Sequence, residues 1–129
     1  MRVKLNDGWR NVLAELAHKN RKQMTFFLSS KKEYVVYGLS WHPDSEIYPR
    51  PVTLCEVVDD EGNLVSVPID VFEIVDSNIS STWQVERNAN SVLMWPREFL
   101  EKFFFDDLSE GKSGALAAFE HVRDLIGRD

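Results

Sequence analysis

Two groups of acidic residues are the first features of the sequence that could do chemistry, because clustered carboxylates can bind a metal ion or share protons. The members are Asp59, Asp60 and Glu61 in the first group and Asp106, Asp107 and Glu110 in the second. Neither group has the ligand spacing of a calcium loop. The first lies in a predicted turn and the second at a predicted helix end, where solvated acids are common. The sequence therefore favours solvation or contact with a partner over catalysis.

The histidines and the single cysteine give no second catalytic pattern. His18, His42 and His121 lie far apart in different predicted elements, and no spacing holds two of them on one face. Cys55 falls inside a predicted strand, where a free cysteine is typically a small buried apolar residue rather than a reactive thiolate. We therefore predict no catalytic residue, no metal site and no cofactor.

Phosphate binding is also disfavoured. The segment 111–114 contains the Gly-Lys-Ser end of a nucleotide-binding loop, but the first glycine of that motif would fall at Asp106. Residues 1–35 carry eight basic and three acidic residues, whereas residues 36–129 carry seven basic and eighteen acidic residues. Nucleic acid requires Lys and Arg, so this acidic majority favours a cationic partner. The basic stretch at 18–22 is better explained by a helix C-terminus than by nucleic-acid or lipid binding.

Length and composition indicate one globular domain spanning residues 1–129. The chain is 43% hydrophobic and 28% charged, and its 12% aromatic content can fill a core without cross-links. The lone cysteine excludes an internal disulfide. No stretch approaches the roughly 18 apolar residues of a membrane span, and the N-terminus does not resemble a signal peptide. We therefore expect a cytoplasmic protein with no membrane partner.

The first half of the chain predicts one helix followed by strands. Apolar residues spaced three and four apart predict a helix from about residue 7 to residue 19, capped by Asn6 or Asp7. Residues 24–28 alternate as a strand does, although they also continue the helical stripe. Residues 33–41 are rich in β-branched and aromatic types and predict a strand that ends at His42-Pro43.

Turn residues define the remaining strands. Asp-Glu-Gly-Asn at 60–63 predicts the clearest hairpin, between strands at 52–59 and 64–67. Residues 71–75 are compatible with a strand or a helical turn. Two further short strands, at 83–87 and 91–95, flank an Asn-Ala-Asn turn.

The C-terminal part predicts two helices. Pro96 is suited to open the first, and Ser113 to cap the second, which Gly127 ends. Three consecutive phenylalanines at 103–105 cannot all face one side of a helix, so we expect Phe105 to lie near the boundary. Phe105 and Trp41 are therefore candidate anchors for a protein partner.

Together these elements predict an α+β fold. Its strands form a curled antiparallel sheet, either a small barrel or an open sheet, with one N-terminal and two C-terminal helices covering it.

From residue 34 onward the order of landmarks resembles the immunity proteins of contact-dependent growth inhibition and other polymorphic-toxin loci of bacteria. The matching positions are Tyr37-Gly38, Phe72-Glu73-Ile74-Val75-Asp76, Trp83, Pro96, Phe105-Asp106-Asp107 and Phe119. The segment VVDDEGNLVSVPIDVFEIVD is also similar to SH3-like small barrels.

The resemblance implies a protein that neutralises a cognate toxin, in some cases a nuclease with a basic cleft, by stoichiometric binding. An acidic surface would compete with nucleic acid for such a cleft and speed encounter. We expect this surface to include both acidic groups, with Trp41 as a hydrophobic anchor. The alternative is an SH3-like adaptor that binds extended peptides, which predicts an exposed aromatic groove instead.

Overall fold

The chain is described by a computed structural model over residues 1–16, 26–45, 47–48 and 50–127. Within these ranges it forms eight strands and three α-helices. The strands are β1 (Arg2–Leu5), β2 (Tyr34–Val35), β3 (Gly38–His42), β4 (Val52–Val58), β5 (Leu64–Pro68), β6 (Phe72–Asp76), β7 (Trp83–Asn88) and β8 (Ser91–Pro96). The helices are α1 (Trp9–Leu16), α2 (Phe104–Ser109) and α3 (Ser113–Ile126). The predicted α+β class is confirmed.

The strands form two antiparallel sheets, ordered β2-β1-β6 and β5-β4-β3-β8-β7. Within the described ranges neither sheet closes on itself, so the open sheet is confirmed and the barrel alternative is not. The hairpin predicted at 52–67 is present as β4 and β5, and the two short strands predicted around 88–90 are β7 and β8.

The strand predicted over 33–41 is divided between the two sheets. Its start, β2, pairs with β1, whereas β3 pairs with β4 and β8. At the crossing, the Val36 N–H donates to the Met1 carbonyl and the Tyr37 N–H to the Glu56 carbonyl. This backbone segment thus connects the small sheet to the large one.

One face of the large sheet packs against the small sheet and α1. This core, called the first core, consists of Val3, Leu5, Leu13, Tyr34, Val36, Cys55, Val57, Val67, Val71 and Phe72. Packing into this core accounts for β1, a strand that the sequence analysis did not predict. Val3 and Leu5 point inward, while Lys4 between them forms an ion pair with Glu73, 3.1 Å away, on β6.

At one end of the large sheet, the opposite face is covered by α2 and α3 across an aromatic cluster. This second core is Val35, Tyr37, Phe99, Phe104, Phe119 and Val122. Phe99 lies at its centre, with its ring stacked on Phe104 at 4.9 Å between centroids. Such a packed aromatic cluster fixes the angle at which the helices cross the sheet.

The helix predicted to open at Pro96 is shorter and interrupted. Arg97–Leu100 form a 3₁₀ turn, and Phe103 adopts a left-handed conformation with φ of +64°, so α2 begins only at Phe104. Phe105 is half-buried against Trp95 and Phe99. It does lie at the boundary, but the phenylalanine that faces solvent is Phe103, which is 61% exposed.

The predicted helix at 7–19 is observed as α1, and its last residues, 17–19, fall outside the described ranges. The basic stretch at 18–22 and the start of the strand predicted at 24–28 also fall outside them. Residues 26–28 are described and are not a strand. Phe26 and Leu28 instead pack on the edge of the first core. Among the described helices, each is too short or too polar to cross a bilayer.

Candidate functional site

The first acidic group is largely engaged in internal contacts. Asp59 is 7% exposed, and its Oδ1 accepts the N–H groups of Glu61 at 3.0 Å and Asn63 at 2.9 Å. A carboxylate that caps the turn in this way sets the hairpin geometry. Asp60 and Glu61 are both exposed to solvent.

Asp60 joins the hairpin to the segment 26–34. Its Oδ1 accepts hydrogen bonds from Lys32 Nζ and Tyr34 Oη, both at 2.8 Å, and its Oδ2 accepts one from the Ser29 hydroxyl. Its backbone N–H donates to the Phe27 carbonyl. The Lys32 ammonium contributes most to lowering the pKa of Asp60 to about 2.

Asp60→Ala should therefore lower the free energy of unfolding at pH 7 by about 1 kcal/mol, a small value because the group is solvent-screened. A depressed carboxyl pKa stabilises the fold above the ordinary value of 3.8 and ceases to do so as pH falls toward 2. Urea unfolding should thus show the variant's deficit at pH 7 shrinking below pH 3. Glu61→Ala, which removes the adjacent exposed carboxylate, is the matched control, and an equal loss in both variants would contradict this role.

The second acidic group lies on α2 and just after it. Lys112 Nζ lies 3.1 Å from Asp107 Oδ1 and 3.3 Å from Glu110 Oε2, so one lysine partly neutralises two of the three acids. Asp106 is exposed.

The two acidic groups lie at the same end of the large sheet. Val58 and Leu64, which flank the first group, pack on the second core, and so do Phe105 and Leu108, which flank the second group. Three exposed carboxylates of this end are called the acidic rim: Glu61, Asp106 and Glu110. Asp60 is also exposed, but its carboxylate is bonded to Lys32, Tyr34 and Ser29.

Trp41 is remote from the acidic rim. It is 44% exposed and lies opposite Thr53 on β4, at the other end of that strand from Asp59. Six residues of strand correspond to about 20 Å. Trp41, predicted as a hydrophobic anchor, is thus exposed, but the fold does not place it beside the acids.

A groove of about 350 Å³ lies between the β7–β8 hairpin and residues 97–106. Trp95, Phe99 and Phe105 line it, and their rings contact one another at centroid distances of 5.1 to 6.5 Å. Among the described residues, the buried Trp95 Nε1 has no hydrogen-bond partner. An acceptor from a bound molecule could satisfy this donor if it reached the indole edge.

The edge of the groove carries charges of both signs. Of the two predicted acidic groups, Asp106 alone lines it, together with the charged residues Glu86, Glu101 and Lys102. Phe103 is also at the edge, with Lys102 Nζ 5.1 Å from its ring centroid. An aromatic floor with a polar margin offers a ligand both apolar area and hydrogen-bonding groups.

A buried carboxyl group was missed by the sequence reading. Glu56 on β4 is 2% exposed, and Ser66 Oγ on β5 donates to its two oxygens at 2.7 and 2.8 Å. On its other side Glu56 pairs with Gly38 of β3. Burial raises the pKa of Glu56 to about 7, although the Ser66 hydrogen bond acts in the opposite direction.

His42 forms a serine–histidine arrangement. Its Nε2 is 2.8 Å from Ser40 Oγ, and its Nδ1 is 2.8 Å from Ser91 Oγ. This distance suits a nucleophile and its base, but Ser40 is 2% exposed and out of reach of a substrate. The Ser40 bond lies within β3, whereas the Ser91 bond ties β3 to β8. Partial burial lowers the pKa of His42, which favours its neutral form.

Cys55 is fully buried in the first core, and burial raises the pKa of its thiol to about 12. The expectation of a buried apolar cysteine is therefore confirmed. Across the described ranges, no three His, Cys, Asp or Glu side chains converge as metal ligands would.

Comparison of the chain with protein-family models, curated proteins and solved structures gives no match. Function is therefore inferred from the surfaces described above.

Proposed function

We propose that the protein is an immunity protein that binds a cognate toxin domain in the cytoplasm of the producing bacterium and blocks it stoichiometrically. It catalyses no reaction and takes no cofactor, nucleic acid or membrane as partner. The observation that carries the proposal is the acidic rim, of which Asp106 also lines the aromatic groove, in a protein with six more acidic than basic residues overall.

Each part of this surface has a physical role in binding. The aromatic floor supplies apolar area that is desolvated on contact, and the acidic rim attracts a basic surface from a distance. Many toxin domains that cleave nucleic acid need a basic cleft to hold phosphates. A protein that covers such a cleft with carboxylates competes directly with the substrate.

The primary test is copurification of the protein with the toxin domain encoded beside it, followed by growth rescue. Cells expressing that toxin domain should grow when the protein is coexpressed, and the purified pair should form a one-to-one complex. Toxin activity that continues in the presence of an equimolar amount of the protein would refute the proposal.

Charge reversal tests the acidic rim itself. The triple variant Glu61→Lys, Asp106→Lys, Glu110→Lys should slow association with the toxin by about tenfold or more at low salt, because steering is lost. The association rate of the variant should also respond differently to salt. Stopped-flow mixing at several ionic strengths measures both effects.

The control carries the same change in net charge elsewhere. Glu15, Glu33 and Asp44 are exposed and lie outside the acidic rim, so their triple lysine variant should associate closer to the wild-type rate. Equal slowing in the two triple variants would mean that net charge matters but the rim does not. Unchanged kinetics in the rim variant would eliminate the acidic surface from the proposal.

The groove also favours a second candidate, an adaptor that binds extended peptides. This candidate rests on the aromatic floor alone, since the large sheet is open rather than barrel-shaped. It predicts modest affinity for many peptides and little effect of the rim variant. A peptide array with the groove variant Phe105→Ala as control separates it from tight binding to one toxin.

A further inference from the structure

β7 is an edge strand of the large sheet, and its outer side is unpaired within the described part of the chain. Five of its six residues are exposed, and Val85 at its centre is 73% exposed. An exposed edge strand with an apolar centre is a template for pairing with another strand.

The hairpin geometry determines which backbone groups of β7 face outward. Asn88 pairs with Ser91 across the two-residue turn 89–90, and in such hairpins this first pair exchanges hydrogen bonds. Hydrogen-bonded and non-bonded pairs then alternate along the ladder. The N–H and C=O groups of Val85 and Arg87 therefore point away from β8 and are available to a new strand.

We propose that β7 pairs with β7 of a second copy of this chain, antiparallel and centred on Val85, to give a dimer with a continuous ten-stranded sheet. Residues that lie opposite each other in an antiparallel pair point to the same face of the sheet. The two-fold axis must therefore place one residue opposite its own copy, rather than opposite the copy of its chain neighbour. This proposal is argued from the sheet edge and not from the proposed function, although Glu86 of β7 also lines the groove.

Side-chain complementarity selects Val85 as the centre. Val85 then meets its own copy, Trp83 lies opposite Arg87, and Gln84 lies opposite Glu86. Arginine beside an aromatic ring and an amide beside a carboxylate are both favourable cross-strand neighbours. A centre at Glu86 or Arg87 would place like charges directly opposite each other. A centre at Gln84 would leave Arg87 beyond the end of the paired strand.

The other strand edges are less suited to a second copy. β5 ends in Pro68, which has no N–H to donate. On β6, Glu73 is already paired with Lys4 of the neighbouring strand. β7 thus combines an open edge, an exposed apolar centre and side chains that complement those of a second copy in this register.

The first test is sedimentation equilibrium of the whole protein over a concentration series from about 1 µM to 1 mM, the range expected for small interfaces. The average mass should rise from that of a monomer toward twice that value. Val85→Pro removes an outward N–H and leaves the bonds to β8 in place, so it should remain monomeric with an unchanged circular dichroism spectrum. A wild type that stays monomeric throughout the series would overturn the proposal, as would a proline variant that dimerises equally.

Disulfide formation tests the register without relying on proline. Gln84 and Glu86 would form non-hydrogen-bonded pairs in the dimer, at a Cα separation of about 4.5 Å that a disulfide can span. Mixed Gln84→Cys and Glu86→Cys proteins should therefore cross-link faster than either protein alone, and buried Cys55 adds little background. Equal rates in the mixture and the separate samples would exclude a register centred on Val85.

Discussion

Glu56→Gln should have a larger free energy of unfolding than the wild type at pH 8. At pH 4 the two proteins should differ much less. Burial favours the neutral acid, so the folded state retains a proton that the unfolded chain releases near its ordinary pKa of 4.5. The contribution of Glu56 to the free energy of unfolding is complete below pH 4.5 and is lost as pH rises through about 7. The gap between these pKa values corresponds to about 3 kcal/mol.

Urea unfolding of both proteins between pH 4 and pH 8 measures this effect. Burial lowers the pKa of His42, which gives stability the opposite pH dependence, but His42 is present in both proteins and its effect cancels in the difference. Glu73→Gln, which removes an exposed carboxylate on β6, is the matched control and should run nearly parallel to the wild type. A Glu56→Gln curve parallel to the wild type would show that Glu56 is not held neutral in the fold.

Gly38→Ala should destabilise the protein by about 2 to 3 kcal/mol, as forced overpacking does. A Cβ at this position would lie 2.6 Å from Trp95 Cδ1 and 3.2 Å from the Met94 carbonyl oxygen. The indole cannot move away freely, because Phe99 and Phe105 pack on it. Thermal unfolding with tryptophan fluorescence would report both the loss of stability and the displaced ring.

The control for this variant is Gly114→Ala in the first turn of α3, where an added Cβ meets no atom within 4 Å. Alanine has the higher helix propensity, so this variant should be neutral or slightly stabilised. Because Trp95 forms the floor of the groove, Gly38→Ala should also weaken any ligand bound there, whereas Gly114→Ala should not. Equal stability of the two variants would contradict the close contact between Gly38 and Trp95.

Local signals were sufficient where neighbouring residues pair with each other. The β4–β5 hairpin was predictable because the turn 60–63 carries the residue types that a reversal needs, and the segments on both sides are rich in valine. The same turn also contained a signal for the role of Asp59. An aspartate at the start of a turn commonly accepts hydrogen bonds from backbone N–H groups a few residues later. Asp59 does so, because its Oδ1 accepts the N–H groups of Glu61 and Asn63.

Features that depend on distant residues were not predictable from the sequence. β1 is only four residues long and alternates charged with apolar residues, so only its pairing with β2 and β6 identifies it as a strand. Glu56 resembles the outward-facing residue of a half-exposed strand. It is buried because both faces of the large sheet are covered at that point, which no local pattern encodes. The groove likewise depends on the left-handed backbone conformation of Phe103.

The position of β1 within the small sheet has a consequence for folding during synthesis. β1 is the central strand of its sheet, yet its second partner is complete only when the ribosome has translated Asp76. At a translation rate of about 5 to 20 residues per second, several seconds separate the synthesis of β1 from that of β6. The hairpins β4–β5 and β7–β8 close locally and need no such delay. β1 is thus secured later than the β4–β5 hairpin, although it is translated before that hairpin, and until then Val3 and Leu5 lack the β6 side of their sheet.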